Sequence, residues 1–121
     1  MKQKTIIFCA ALLGLSFVFW PARTQDLSDH KSLVEAWNKP IKPFRIIDKI
    51  YYVGTNFLAC YLIATPGGHI LIDTGMEESA PIVRANIEAL GYKLKNIRII
   101  LSSHAHFDHV AGHAAMVAAT G

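Results

Sequence analysis

The sequence predicts an α/β fold of which this chain supplies the first half, and three patterns carry that reading. Short β-rich runs separated by turn residues occupy positions 44–73, an amphipathic helical segment covers 79–90, and a β-branched run at Ile97–Leu101 ends on a dense cluster of histidines. Strands followed by a sheet-covering helix and a further buried strand are the layered arrangement of α/β domains.

Lys2 and Lys4 precede an apolar run from Ile6 to Trp20, which Pro21 and Arg23 then break. That profile predicts a signal peptide over residues 1–24, cut between about Ala22 and Gln25. The run is shorter than the roughly 20 apolar residues that span a bilayer, so no stable membrane association is expected after cleavage. The expected location is periplasmic or secreted. Cys9 would leave with the leader. Cys60, between apolar neighbours, reads as a small buried hydrophobe with no disulfide partner in the mature chain. The formal charge of +3 also owes much to the leader, because removing residues 1–22 takes away Lys2 and Lys4 and leaves ten basic side chains against nine acidic ones. No stretch combines clustered Lys and Arg with aromatics, so nucleic acid is not an expected partner.

Residues 25–43 read as a polar N-terminal arm with one or two helical turns anchored by Trp37, after which Pro40 and Pro43 keep the chain extended. Phe44–Ile47 and Ile50–Val53 form a hairpin across Asp48-Lys49, and Leu58–Ala64 makes a third strand. Thr65-Pro66-Gly67-Gly68 has Pro and Gly at the central positions of a type II turn, leading into a return strand at His69–Asp73. Ser79 is placed to cap a helix with Pro81 in its first turn; Ile82, Val83, Ile87 and Leu90 share one face, and Gly91 ends it. Ile97–Leu101 reads as a strand buried on both faces, which puts Ser102-Ser103-His104 at its C-terminal end, where α/β sheets place ligands. Ala114–Gly121 reads as a helix under way.

His104, His106, Asp108 and His109 fall within six positions. Alternation puts the first three on one side of an extended stretch, and a bend into the next helix swings His109 toward them. Imidazole nitrogens with a carboxylate oxygen are zinc donors, whereas core packing has no use for this spacing. His30, His69 and His113 read instead as surface or satisfied core histidines. His109 and His113 stand four apart, but Val110 occupies the place where a zincin needs its glutamate. Ser28-Asp29-His30-Lys31 matches the S-x-x-K pattern of serine β-lactamases without its companion triplets, and lies in the polar arm. Gly67, Gly68 and Gly75 are turn glycines with no phosphate-loop Lys after them.

His104-x-His106-x-Asp108-His109 resembles the H-x-H-x-D-H signature of the metallo-β-lactamase superfamily, and Ile70-Leu71-Ile72-Asp73-Thr74-Gly75 is similar to the strand and turn that precede it there. Trp37-Asn38, Pro43 to Ile46, Tyr51 to Thr55, Leu58-Ala59, Tyr61 to Ile63 and Ser103 to His109 resemble the third subclass of class B β-lactamases. The resemblance implies an αβ/βα sandwich, with residues 44–121 as the N-terminal half of its domain and this chain as a truncated portion, inactive by itself. It implies two zinc ions. His104 and His106 would bind the first, Asp108 and His109 the second, and each ion would take a further histidine from outside this chain. Asp108 would also orient the zinc-bound hydroxide that opens a small-molecule β-lactam without an acyl-enzyme, conferring antibiotic resistance. Asp73 would support the site without binding metal. Ala111 departs from the family's Gly-Gly pair, of which Gly112 remains, and puts only the local backbone path in question. The alternatives are a thioesterase or lactonase on the same fold, or an inert truncated product. Pocket loops that would set lactam preference lie outside the sequence, and oligomeric state is left open.

Overall fold

The computed structural model describes residues 27–121, so the leader expected over residues 1–24 lies outside the described residues. Helix α1 (Leu27–Trp37) leads to β1 (Phe44–Ile47), β2 (Ile50–Tyr52), β3 (Tyr61–Ile63) and β4 (His69–Ile72). A 3-10 turn at Glu77–Ser79 opens α2 (Ala80–Ala89); a second, Leu94–Asn96, enters β5 (Ile97–Leu101) before α3 (Phe107–Val110) and α4 (His113–Thr120). The five strands form one sheet in the order β1-β2-β3-β4-β5; the first four pair antiparallel, and β5 joins β4 in parallel after the α2 crossover. Among the described residues, no helix is long and apolar enough to cross a membrane.

The register sorts the side chains into two faces. Tyr51, Leu62, Leu71 and Ile100 stand opposite one another across β2 to β5. They pack with Val83 and Ile87 of α2 and Met116 of α4 in the core. Each such fully buried side chain contributes about 1.5–3 kcal/mol of apolar transfer. On the other face, Phe44, Tyr52, Tyr61, Ile72 and Leu101 form one cross-strand row, and Ile50, Ile63, Ile70 and Ile99 form a second. Nothing covers these rows among the described residues: Phe44, Ile99 and Leu101 are about half exposed. The expectation that β5 is buried on both faces is therefore corrected. Ile97 and Ile100 meet the helices, while Ile99 and Leu101 project from the uncovered side.

Other differences have local causes. Helix α1 runs for 11 residues instead of one or two turns. Asn38 follows it, with Nδ2 donating to the Val34 carbonyl at 2.9 Å. Strand β3 starts at Tyr61 and not Leu58, because Leu58 is committed to a loop: its N–H donates to Thr55 Oγ1 at 3.0 Å, and its carbonyl accepts from the Thr55 N–H at 2.9 Å. The turn before β4 is not type II, since the positive φ of +123° belongs to Gly68 and Gly67 has none. Any Cβ at Gly68 would also meet Arg98 Cγ at 2.3 Å, so a glycine is required one position later than expected. Ser79 stands at the N-cap position of α2, as expected, but its side chain makes no cap bond to that helix; its hydroxyl accepts the Met76 N–H at 2.9 Å, capping the 3-10 turn instead, and donates to Asn38 Oδ1. Pro81 takes its expected place in the first turn of α2, and Gly91, at φ +85°, ends the helix.

The uncovered rows have a direct consequence. A polypeptide of residues 25–121 alone is expected to bind a hydrophobic dye strongly and to self-associate at micromolar concentration, because contiguous exposed apolar surface of this kind drives association. Dye fluorescence and sedimentation velocity check this. A monomer that ignores the dye and unfolds cooperatively would contradict it.

Candidate metal centre

The site begins where β4 and β5 end side by side. The Asp73 N–H donates to the Leu101 carbonyl at 2.8 Å, the last rung of that pair. After Leu101 the chain is irregular through His106, whose φ of −73° and ψ of 147° are extended, and turns helical at Phe107. The N–H groups of His109 and Val110 both reach back to the His106 carbonyl, at 3.0 and 3.2 Å. The expected strand-like alternation is therefore corrected: the chain bends at Ser103-His104, His106 is extended, and Asp108 arrives on the first turn of α3. The turn still gathers the rings. His104 lies 4.6 Å from His106 and 3.9 Å from His109 between centroids, and His109 Nε2 lies 3.5 Å from Asp108 Oδ2. His104 and His106 are exposed, whereas Asp108 and His109 are half-buried.

Asp73 organises this cluster from behind. Its Oδ1 accepts the Ser103 N–H at 2.7 Å; its Oδ2 accepts the Ser103 hydroxyl at 2.7 Å and His109 Nδ1 at 2.9 Å. Burial alone would raise this carboxyl's pKa, but the bonds from His109 and Ser103 outweigh it and hold the group below its ordinary value. An ionised carboxylate only accepts, so His109 presents Nδ1–H to Asp73 and points Nε2 toward Asp108. The same logic reaches His104. Ser103 gives its single hydroxyl proton to Asp73, so its oxygen is left to accept from His104 Nδ1, 3.0 Å away. Nδ1 of both imidazoles is thus engaged, directly or through Ser103, by one buried carboxylate, as outer carboxylates engage metal-binding histidines.

The donor chemistry fits zinc: neutral imidazole nitrogens with a carboxylate beside them, backed by a carboxylate–histidine pair. Among the described residues no group of three or more His, Cys, Asp and Glu side chains is disposed to hold one ion.

The metallo-beta-lactamase superfamily model matches residues 53–121. The chain belongs to that superfamily. A metallo-beta-lactamase from Cronobacter sakazakii, described by a HARLDQ motif, is 52% identical with a TM-score of 0.71; the match covers 74% of this chain and 34% of that one. Another similar structure, a subclass B3 metallo-beta-lactamase isolated from a soil metagenome library, is 47% identical with a TM-score of 0.69, over 70% of this chain and 32% of that one. A curated N-acyl homoserine lactonase from a Bacillus species is 30% identical over 112 residues, 74% of this chain and 40% of that protein. The chain therefore spans 32–40% of the length of these relatives.

The departure at Ala111 meets no conformational obstacle in the structure. Ala111 is exposed and helical at φ −63°, ψ −28°, a conformation that needs no glycine. Gly112 is different. A Cβ there would meet the Thr74 carbonyl oxygen at 2.6 Å and that of Met76 at 3.0 Å, so this glycine lets α3 and α4 lie directly on the turn after β4. Cys60 is fully buried, and burial together with the Asp73 charge pushes its thiol up to about 12, so it packs as a hydrophobe and has no thiolate to offer near neutrality. His69 is a satisfied core histidine whose Nδ1 accepts the Thr65 N–H at 3.3 Å, and His30 is exposed on α1. The Ser28-Asp29-His30-Lys31 tetrad lies on α1, in the expected arm. Sequence reasoning missed the polar partners Thr74, Ser102 and His113; the one available signal was His113 one helical turn after His109.

Asp73 offers the sharpest test of this construction. Asp73→Ala is expected to destabilise the folded protein by about 1–3 kcal/mol, leaving the Ser103 N–H and His109 Nδ1 without their acceptor. Asp73→Asn, which tolerates the positive φ of 60° and keeps an acceptor oxygen, should cost less. Denaturant melts of the metal-free protein measure both, and equal losses would argue against the carboxylate's ordering role.

Proposed function

We propose that a protein carrying this chain is a zinc-dependent hydrolase that opens the amide bond of β-lactams. The observation that carries this reading is the engagement of Nδ1 of His104 and of His109 by Ser103 and Asp73, on rings grouped with His106 and Asp108 beyond the end of β5. His104 and His106 would hold one ion, and Asp108 and His109 a second. When bound, zinc supplies Lewis acidity and lowers the pKa of a water toward about 7. Asp73 keeps the His109 tautomer fixed. Asp108, at the start of α3, faces the same ring and would orient the attacking water by accepting its proton in a hydrogen bond.

Substrate class is supported by the balance of relatives. Subclass B3 and related metallo-beta-lactamase structures match at 42–52% identity over 70–74% of this chain, against 30–35% for the N-acyl homoserine lactonases. The HARLDQ motif of the Cronobacter enzyme, set letter for letter beside His104 to His109, has Arg and Gln where this chain has His106 and His109. This chain thus keeps all four donors. A lactonase is the second reading, favoured by those curated relatives. Both reactions begin with water attacking the carbonyl of a ring.

Two measurements test the proposal. Zinc counting with steady-state kinetics on a penicillin, a carbapenem and an acyl homoserine lactone should show two ions and chelator-sensitive lactam turnover. Asp108→Asn should lower kcat by about 10²-fold or more while leaving the His104–His106 ion in place, because the amide is a poor acceptor for the water's proton. Full activity in metal-free protein, or lactone cleavage without lactam cleavage, would overturn the assignment.

We further propose that residues 1–24 direct export to the periplasm, so that the enzyme would meet its substrate there and confer resistance. N-terminal sequencing of periplasmic protein should begin between about Ala22 and Gln25. Intact Met1 in a membrane fraction would refute this.

A further inference from the structure

His113 takes no part in the proposed chemistry, yet its ring joins two hydroxyls from two different strand ends. Nδ1 lies 2.8 Å from Thr74 Oγ1, just beyond β4, and Nε2 lies 3.0 Å from Ser102 Oγ, just beyond β5. Thr74 is fully buried. Its N–H and its hydroxyl both donate to the main-chain carbonyl of His109, at 3.0 and 3.3 Å. A hydroxyl has one proton. With that proton on the His109 carbonyl, the Thr74 oxygen is an acceptor toward His113 Nδ1–H, and Nε2 accepts from the Ser102 hydroxyl. This tautomer keeps both Thr74 bonds to the His109 carbonyl; the other turns the Thr74 hydroxyl toward the ring and leaves the Thr74 N–H alone on that carbonyl.

We propose that His113 is a positioning residue for the metal-ligand segment, acting through Thr74 on the main chain of His109. The inference rests on the metal reading above. Asp73 sets the His109 ring from its Nδ1 side, while Thr74, oriented by His113, fixes the carbonyl from which that side chain is projected. Ser102 completes the bridge, so the ends of β4 and β5 and the first turn of α4 share one polar brace. A side chain that only filled space would not match two ring nitrogens to hydroxyls on two separate elements.

The test uses the complete zinc-loaded protein with His113→Leu, His113→Asn and His113→Gln. Zinc affinities are read by competition with a chromophoric chelator, and melting temperatures are taken on the metal-free forms. His113→Leu should weaken the ion held by Asp108 and His109 by about 10–100-fold, the range for loss of an outer partner. His113→Asn, whose amide N–H stands where Nδ1–H does, should recover most of that affinity. His113→Gln, which reaches only toward Ser102, should not. Wild-type affinity in His113→Leu, or losses in all three variants that merely track their melting temperatures, would overturn the positioning role. Failure of the wild-type protein to bind zinc would instead overturn the metal reading and this inference with it, so the two failures are read in different samples.

Discussion

The Asp73 carboxylate is the group on which the arrangement of the site depends. It sits at the point where β4 stops, at a φ of +60° that few side chains other than Asp and Asn accept, and its three hydrogen bonds tie the loop after β5 and the helix beyond it to that strand end. A carboxylate that is 3% exposed would be costly if unpaired. Here its satisfaction requires both the Ser103 N–H and a protonated His109 Nδ1, so folding and ligand tautomer are set by the same interaction. Ser103 passes the constraint to His104 by spending its only proton on Asp73.

The sheet explains why these groups meet. A parallel β4–β5 pair brings two C-terminal strand ends together, which an antiparallel neighbour would not do, and the crossover through α2 makes that pairing possible. Helices α2 and α4 bury one face of the sheet, and Gly112 allows α3 and α4 to rest on the turn that follows Asp73. The donors therefore stand on a braced rim while the opposite apolar face is free for another layer, consistent with one half of a sandwich.

Much of this was legible because the pattern-forming residues act locally. The hairpin at Asp48, the helix opened by Pro81 and closed by Gly91, and the strand before the histidines follow from turn chemistry and periodicity. The four candidate ligands stand out by spacing alone. What escaped depended on distant partners. Ser79 reads as a cap until Asn38 claims its hydroxyl from 41 residues away, and Leu58 reads as strand until Thr55 takes both its backbone groups. The burial of β5 was misjudged because an apolar run reports what a strand can bury and not how many layers cover it. Thr74, Ser102 and His113 are unremarkable letters whose meaning lies only in the distances between them.

The division between the shared and the specific parts of the reaction follows from the same geometry. Opening a lactam and opening a lactone both require a water aimed at a carbonyl carbon, and they differ in whether nitrogen or oxygen departs. On the proposed reading, His104, His106, Asp108 and His109, with Asp73 behind them, would address the water and the carbonyl. The braces around them, through Ser103 and through Thr74 and His113, tie the ends of β4 and β5 to α3 and α4. In a fold shared by lactamases and lactonases, this part of the structure would then carry the chemistry the two reactions have in common, and it could stay constant while the groups that face the departing atom change.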